Sequence, residues 1–313
     1  MLRNALLYLS NQQGLFDFVR HNGIAKSFAS RFVAGESVTT AIEAVRGLNA
    51  KGITASLDLL GESTTSEKDA YASQREYLQL LDLIAREKLD ANVSLKLTAM
   101  GMEISDDLCV KVTREILERA KQYGTFVRLD MESSAYTQKT LDLFEQHFYP
   151  DFRANVGIVL QSYLYRTEAD AKRASELGAR VRICKGAYKE PAEVAFPEKA
   201  DVDKCFVRAM LHLMEHGNYP GIATHDEVII AEAKRFAKEK GISSDRFEFQ
   251  MLYGVRRDLQ EGLVRDGYRI RCYVPFGTQW YPYLMRRLAE RPANMAFMAG
   301  NVMKEMIGGR RSA

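Results

Sequence analysis

The feature that most restricts the fold of this chain is a regular alternation of short apolar segments with longer helical segments from residue 52 onward. Eight apolar segments have strand length, over residues 53–60, 92–97, 126–131, 156–160, 181–184, 222–224, 247–252 and 268–274. Their starts lie about 31 residues apart on average, close to the length of one βαβ unit. This pattern predicts an α/β protein folded as a closed (βα)8 TIM barrel.

An open doubly wound sheet is the competing architecture. Such a sheet usually carries a G-x-G-x-x-G turn after its first strand when it binds a nucleotide, and Leu57-Asp-Leu-Leu-Gly-Glu62 has no such turn. Helix start signals accompany the strands: Ser66 precedes an acidic turn, and Ser105 precedes two aspartates. The closed barrel is therefore the preferred prediction.

The first 50 residues differ from the rest and are predicted to form a helical arm, with helices over residues 2–9, 16–32 and 38–49. Residues 51–307 form the predicted barrel domain, and residues 308–313 a disordered tail. The middle helix is amphipathic, because Phe16, Phe28 and Phe32 recur at roughly helical spacing while Arg20 and Lys26 lie elsewhere. We favour packing of this helix on the barrel, and contact with a membrane surface is the alternative.

Composition excludes several classes of protein. Forty-four basic and 41 acidic residues leave a net charge of only +3, so nothing in the totals demands a nucleic-acid partner. No apolar run is long enough to span a membrane, and no secretory leader is evident, which predicts a cytoplasmic protein. The four cysteines are widely separated and are expected to be buried free thiols: Cys109, Cys184, Cys205 and Cys272.

One metal-binding pattern is present but is not expected to bind metal. His212-Leu-Met-Glu-His216 matches H-x-x-E-H, a pattern found in zinc enzymes. The motif falls within an amphipathic helix on the predicted outer ring, away from the strand ends, and no third ligand follows at a characteristic spacing. We predict a surface helix with two histidines, and no metal site.

Polar residues follow seven of the predicted strands, at the end where the active sites of TIM barrels lie. These residues are Lys96, Asp130, Gln161, Arg182, Lys185, Thr224, His225, Gln250 and Tyr273. Polar groups are costly to bury without partners. Their recurrence at successive strand ends therefore predicts an active site there.

The residue types at these positions favour an anionic substrate. Lys96, Arg286 and Arg287 would form a positive pocket for a carboxylate. Asp130 could offset one of these charges while orienting Lys96 or a tyrosine. Gly186 would let a ligand approach the backbone closely. Tyrosines offer flat walls for a small ring, at Tyr188, Tyr273 and Tyr283.

Four ordered motifs within residues 53–302 resemble the proline dehydrogenase family, flavoenzymes with a (βα)8 barrel. The motifs are Val181-Arg-Ile-Cys-Lys-Gly-Ala-Tyr188, Thr224-His225, Phe249-Gln-Met-Leu-Tyr-Gly254 and Tyr273-Val-Pro-Phe-Gly-Thr-Gln-Trp-Tyr-Pro-Tyr-Leu-Met-Arg-Arg-Leu-Ala-Glu290. The aldehyde dehydrogenase module of some bacterial members is not found downstream, so the resemblance implies the monofunctional bacterial type.

The resemblance also implies roles for individual residues. Asp130 would lie beneath the substrate, and Arg182 near flavin N5, where its charge can stabilise negative charge on the ring. Glu290 would pair with one arginine of the carboxylate clamp. The implied substrate contacts are Lys96, Arg286, Arg287, Tyr273, Tyr283 and Leu252. The implied FAD contacts are Met131, Gln161, Arg182, Lys185, Gly186, Ala187, Tyr188, Thr224, His225 and Gln250.

The reaction implied by the resemblance is the first step of proline catabolism. Hydride would pass from C5 of L-proline to N5 of FAD, giving 1-pyrroline-5-carboxylate, and a membrane quinone would accept the electrons. The N-terminal helices would then have a second use, as a peripheral contact with the inner face of the cell membrane. The oligomeric state is left open, and a homo-oligomer is compatible with the sequence.

Two other functions fit parts of the pattern. A Schiff-base aldolase would use a lysine at a strand end, and Lys96 and Lys185 both lie at such positions. A barrel serving as a ligand sensor or membrane adaptor would need no chemistry at all. The number of polar strand ends favours the flavoenzyme over both.

Overall fold

Eight parallel strands close into a barrel in which each strand pairs with its neighbours in chain order and β8 pairs with β1. The computed structural model describes residues 29–61 and 63–290, and side chains as far as residue 285. The predicted TIM barrel is confirmed and the open sheet is excluded. The strands are β1 Thr54–Leu59, β2 Ala91–Leu95, β3 Val127–Leu129, β4 Val156–Gln161, β5 Arg180–Cys184, β6 Gly221–Ala223, β7 Glu248–Leu252 and β8 Ile270–Phe276.

Helices connect the strands and form the outer layer. Ser66 and Ser105 cap two of them as predicted, because their hydroxyl oxygens accept hydrogen bonds from the backbone of Asp69 and Leu108. The helices are α1 Val38–Asn49, α2 Glu67–Arg86, α3 Asp106–Gln122, α4 Ser134–Leu143, α5 Tyr149–Phe152, α6 Thr167–Leu177, α7 Lys199–His216, α8 Glu227–Lys240, α9 Arg257–Arg265 and α10 Trp280–Glu290. Short turns of other helical types cover Thr98–Met100 and Phe144–Phe148.

The main hydrophobic core lies between the strands and helices α1 to α9, where one face of each of these helices packs on the outside of the barrel. The inside of the barrel is polar. Arg182 on β5 donates a hydrogen bond of 3.2 Å to the hydroxyl of Ser94 on β2, and these strands are not neighbours, so the bond crosses the interior. The interior therefore holds a hydrogen-bonded network where many TIM barrels have branched apolar side chains.

The segment before α1 packs on the end of the barrel that carries α10. Ala29, Phe32 and Val33 are buried in a second apolar cluster with residues of α10, including Trp280 and Leu284. The predicted helix 38–49 is confirmed as α1, which packs on β1 and β8. The predicted helix 2–9, most of the predicted helix 16–32 and the predicted tail 308–313 lie outside the described residues.

Backbone contacts fix this segment as well. Ala34 donates a hydrogen bond of 2.9 Å to the carbonyl of Pro275, and Gly277 donates one of 3.0 Å to the carbonyl of Gly35. A Cβ atom on Gly254 would lie 1.7 Å from the carbonyl oxygen of Arg31, so only glycine allows this approach. Residues 29–36 are therefore held firmly against the end of the barrel that carries α10.

The predicted free thiols are confirmed: Cys109, Cys205 and Cys272 are buried, and Cys184 is half-buried. The H-x-x-E-H motif lies on α7 in the outer layer, as predicted. No helix in the described part of the chain has both the length and the apolar character needed to cross a bilayer.

Candidate active site

A cavity of about 660 Å³ opens at the carboxyl ends of the strands. Each site residue predicted up to position 285 lines it: Lys96, Asp130, Met131, Gln161, Arg182, Lys185, Gly186, Ala187, Tyr188, Thr224, His225, Gln250, Leu252, Tyr273 and Tyr283. Arg286, Arg287 and Glu290 belong to α10, and their side chains lie outside the described residues.

Lys96 forms a buried ion pair at the floor of the cavity. Its Nζ atom lies 2.8 Å from Oδ1 and 3.1 Å from Oδ2 of Asp58 on β1. Burial alone would lower the pKa of Lys96, but the carboxylates of Asp58 and Asp130 outweigh burial and raise it above the usual lysine value. Burial raises the pKa of Asp58, and the charge of Lys96 opposes that rise. The site thus contains an ammonium group that stays protonated.

Asp58 is a site residue that the sequence analysis missed. It is 1% exposed and lines the cavity. Asp130 was predicted to orient Lys96 or a tyrosine, and the Lys96 ammonium is hydrogen-bonded to Asp58. The sequence could have indicated this residue, because Asp58 is the one charged residue within the predicted strand 53–60. A charge on a buried strand requires a partner.

Asp130 holds two other side chains of the site. Its Oδ1 atom accepts a hydrogen bond of 2.6 Å from Nη1 of Arg182, and its Oδ2 atom accepts one of 2.8 Å from the hydroxyl of Tyr273. Of the two partners predicted for Asp130, Lys96 or a tyrosine, the hydrogen bond is to a tyrosine. Burial, followed by the charge of Asp130, raises the pKa of Tyr273 well above its usual value, so the phenol remains protonated and acts as the donor.

The guanidinium group of Arg182 donates hydrogen bonds to three different side chains. Besides Asp130, it donates from Nε to Oε1 of Gln250 over 2.5 Å and from Nη2 to Ser94 over 3.2 Å. The guanidinium carbon lies 5.3 Å from the centre of the Tyr273 ring. A planar group with three fixed partners cannot rotate freely, so its positive charge has a defined place in the site.

At β4, β6 and β7 the cavity is held largely by neutral groups and by the backbone. Gln161 donates a hydrogen bond of 3.3 Å to the carbonyl of Met131. The Nε2 atom of His225 accepts a hydrogen bond of 3.0 Å from the backbone N–H of Leu252. Because a backbone N–H can only donate, this nitrogen of His225 carries no proton.

Lys185 and Gly186 directly follow β5 and also line the cavity. Lys185 Nζ lies 2.6 Å from a carboxylate oxygen of Asp203 and 3.0 Å from one of Asp226. Gly186 has a φ of +106°, and a Cβ atom there would overlap the ring of Tyr163. The sequence analysis explained this glycine by the approach of a ligand, but its own backbone angle and the Tyr163 ring already require it.

Tyr163 and Glu190 are further cavity residues that the sequence analysis missed. The Tyr163 hydroxyl lies 3.1 Å from Oε1 of Gln161 and 3.2 Å from Oε1 of Glu190. Glu190 also accepts a hydrogen bond of 2.8 Å from the backbone of Ser134, at the start of α4. These contacts join three loops at the mouth of the barrel. The local sequence around Tyr163 and Glu190 does not indicate that these residues contact each other.

A closed parallel barrel with ion-paired basic groups at the carboxyl ends of its strands, lining one cavity, is the arrangement of an α/β-barrel enzyme. Residues 41–300 match a family model described as proline dehydrogenase. The chain belongs to the proline dehydrogenase family. It is accordingly an enzyme of proline oxidation.

Individual relatives agree over nearly the full chain. Proline dehydrogenase 1 of Bacillus subtilis subsp. natto is 42% identical over 305 residues, which cover 97% of this chain and 100% of that protein. Proline dehydrogenase of Deinococcus radiodurans is 44% identical over 281 residues, covering 89% of this chain and 91% of that protein.

A solved structure shares the fold. The structure of proline utilization A (PutA) from Bdellovibrio bacteriovorus inactivated by N-propargylglycine has a TM-score of 0.81 and 28% identity to this chain. The match covers 88% of this chain and 34% of that one, so the chain spans about a third of the larger protein.

Proposed function

We propose that this enzyme uses FAD to oxidise L-proline to 1-pyrroline-5-carboxylate and passes the electrons to a quinone. The bound FAD would supply the hydride acceptor, its N5 atom, for the hydrogen on C5 of proline. Two buried ion pairs in the cavity carry the proposal. They join Asp58 to Lys96 and Asp130 to Arg182. They provide two fixed cations in a chain of the proline dehydrogenase family.

The residues present fit FAD. A cavity of about 660 Å³ lies within the range of roughly 300–1,000 Å³ found for ligand sites. The residues that line the cavity extend from Lys96 to two further lysines, Lys185 and Lys199. Their ammonium groups are suited to binding the phosphates of FAD. Gln161, Thr224 and His225 offer polar atoms between these ends. The residues that would hold FAD are Met131, Gln161, Arg182, Lys185, Gly186, Ala187, Tyr188, Thr224, His225 and Gln250.

Lys96 would bind the carboxylate of proline. An ammonium group has three N–H donors, so its bonds to Asp58 leave capacity for a second carboxylate. The Lys96 side chain is 17% exposed, which leaves it accessible from the cavity. Arg286 and Arg287 would complete the clamp with Lys96, and Glu290 would hold one of the arginines.

The remaining residues would orient the ring and exclude water. Tyr273, Tyr283 and Leu252 line the cavity and would enclose the ring of proline. Hydride leaves C5 only when the ring nitrogen has a free electron pair, so the amine proton must first pass to solvent. The electron pair of the nitrogen then forms the C=N bond, and the product has lost one hydride and one proton. Fixing the carboxylate at one end holds C5 in a single place, which is the main contribution of the protein to the rate.

Transfer to a membrane quinone would give the N-terminal residues a function in peripheral membrane contact. The basic and aromatic residues within 16–32 support this part of the proposal, since such residues are typical of interfacial helices. The enzyme would then act in the cytoplasm, at the inner face of the cell membrane.

An anaerobic absorption spectrum tests the proposal. The purified protein should be yellow, and L-proline should bleach its visible absorption without oxygen, whereas D-proline at the same concentration should leave most of the absorption intact. Borohydride and a carbonyl substrate should not label Lys96. A colourless protein, or a yellow one that L-proline does not bleach, would overturn the proposal.

A further inference from the structure

Beneath the site, the interior of the barrel holds a carboxylate to which the proposed chemistry assigns no part. Glu248 is the first residue of β7 and is 3% exposed. Its Oε1 atom accepts a hydrogen bond of 2.7 Å from Nε of Arg271 on β8, and Arg271 also donates to the carbonyl of Ala55 on β1. Burial alone would raise the pKa of Glu248, but the charge of Arg271 outweighs burial and lowers it, so the carboxylate is ionised.

The same oxygen of Glu248 accepts a second hydrogen bond, of 2.6 Å, from the side-chain amide nitrogen of Gln250. The amide oxygen of Gln250 accepts the hydrogen bond from Nε of Arg182. A carboxylate can only accept and a guanidinium can only donate. Of the two orientations that a glutamine amide can take, only one satisfies both neighbours, so Glu248 and Arg182 together select it.

Arg182 extends this series to the cavity, because it binds Asp130, which in turn binds Tyr273. An unbroken series of hydrogen bonds therefore connects Glu248 with Asp130 and Tyr273, which line the cavity. The groups of this series have fixed donor and acceptor roles, since a carboxylate only accepts and a guanidinium only donates. The series can therefore transmit the orientation of one side chain to the next.

We propose that Glu248 is a positioning residue of the proline site, which fixes the amide of Gln250 and through it the guanidinium of Arg182. This inference deepens the proposed function and rests on it. The competing explanation is that Glu248 only neutralises the buried cation Arg271. The two explanations differ in what happens at the site when Glu248 loses its charge but keeps its shape.

Glu248→Gln is the variant that separates them. A glutamine at this position can present either an oxygen or an NH₂ group to Gln250, so the amide of Gln250 loses one of the two neighbours that fix its orientation and is held by Arg182 alone. We expect kcat to fall on the order of 10-fold because Arg182 is displaced. The visible absorption bands of the bound cofactor should shift, and cyclopentanecarboxylate, a carbocyclic analogue of proline, should bind the oxidised holoenzyme on the order of 10-fold more weakly.

A double-mutant cycle shows whether Glu248 acts through Gln250. Gln250→Met breaks the same link and should weaken the binding of cyclopentanecarboxylate by a similar factor. The combined variant E248Q/Q250M should then be no weaker than Q250M alone. Additive losses would mean that Glu248 affects the site independently and would overturn the proposal.

Tyr219→Phe is the matched control. The Tyr219 hydroxyl lies 3.2 Å from Oε2 of Glu248, the oxygen that does not contact Gln250. This variant should leave the cofactor spectrum and the affinity for the analogue unchanged. If it causes the same loss as E248Q, a general weakening of the interior explains both and the proposal fails. Should E248Q reduce the yield of folded protein, E248Q/R271Q removes the unpaired cation as well and takes its place in the cycle.

Different measurements would overturn the proposed function and the role of Glu248. If L-proline does not bleach the wild-type protein, the proposed function is wrong. If L-proline bleaches the wild type and E248Q matches it in cofactor spectrum and analogue affinity, only the role of Glu248 is wrong.

Discussion

The two sides of the barrel mouth hold their polar groups by different means. On the side of β1, β2, β3 and β8, which Arg182 reaches from β5, charged groups are buried in ion pairs, as in Asp58 with Lys96 and Asp130 with Arg182. On the side of β4, β6 and β7, neutral groups rest on the backbone, as when Gln161 donates to Met131 and His225 accepts from Leu252. We refer to these as the ion-paired side and the backbone-held side.

The difference predicts how each side responds to substitution. Removing one member of a buried ion pair leaves the other charge unpaired, which costs more than the lost contact itself. Removing a neutral side chain leaves a backbone group that water can satisfy. Binding of a small charged substrate, which demands fixed charges, is therefore expected on the ion-paired side. A large cofactor with many weak contacts suits the backbone-held side.

The largest expected effect is the loss of Lys96. Lys96→Met should lower kcat/KM for L-proline by about 100-fold, because it removes one charge-assisted contact with the substrate and leaves Asp58 unpaired. Steady-state kinetics measures this. Lys96→Met combined with Asp58→Asn is the control: it should restore thermal stability but not kcat/KM. Wild-type kcat/KM in the single variant would show that the ion-paired side does not bind substrate.

Substitution of the arginine pair should have the next largest effect. Arg286 and Arg287 follow Tyr283 by three and four residues, a spacing that places residues on the same face of a helix. Arg286→Ala and Arg287→Ala should each raise the KM for proline on the order of 10-fold, since a charge-assisted contact is lost. The ratio of visible to ultraviolet absorbance should show that FAD stays bound. An unchanged KM in both variants would remove the clamp from the mechanism.

A smaller effect, visible only at high pH, is expected from Asp58→Asn. The carboxylate of Asp58 helps to raise the pKa of Lys96 against burial, so its loss should lower that pKa. Above the lowered pKa the lysine is neutral and cannot pair with proline. The KM of Asp58→Asn should therefore rise between about pH 7 and about pH 10, where wild-type Lys96 stays charged.

The control for this titration is Asp58→Asn combined with Lys96→Arg. Arginine keeps its charge over the whole range, so the rise in KM attributable to residue 96 should disappear. If Asp58→Asn and the wild type give the same dependence of KM on pH, Asp58 does not govern the charge of Lys96.

The smallest expected effect on catalysis is that of a truncation. Deleting residues 2–28 retains Ala29, Phe32 and Val33, which pack with α10, so proline oxidation with a soluble dye should be nearly unchanged. Binding to vesicles of phosphatidylglycerol and phosphatidylethanolamine should fall at least about twofold if these residues contact the membrane. Equal vesicle binding would assign them a packing role. A longer deletion through Val33 is the contrast, because it should also lower thermal stability.

The barrel itself was predictable because its signals are local. Alternation of apolar and helical segments, together with the capping residues Ser66 and Ser105, reflects the preferences of short stretches of chain. The placement of Lys96, Asp130 and Arg182 in one cavity followed from topology alone, since the carboxyl ends of parallel strands meet at one end of a barrel.

The partners within the site were not predictable in the same way. Lys96 contacts Asp58, 38 residues earlier, and the Tyr163 hydroxyl contacts Glu190, 27 residues later. Such choices depend on side-chain rotamers and on the register of neighbouring strands, which a single sequence does not specify. The raised pKa of Lys96 depends on that contact, and it argues against a Schiff-base lysine, which needs a lowered pKa.

The packing of residues 29–36 on α10 has a consequence for the order in which the protein can be made. The indole N–H of Trp280 donates to Glu36 over 3.1 Å, and the two residues are 244 positions apart in the chain. A growing chain cannot form this contact until Trp280 has been synthesised, and contacts so distant in sequence form slowly. Trp280 is the single tryptophan of the protein. Its fluorescence during refolding should therefore report the moment at which residues 29–36 meet α10.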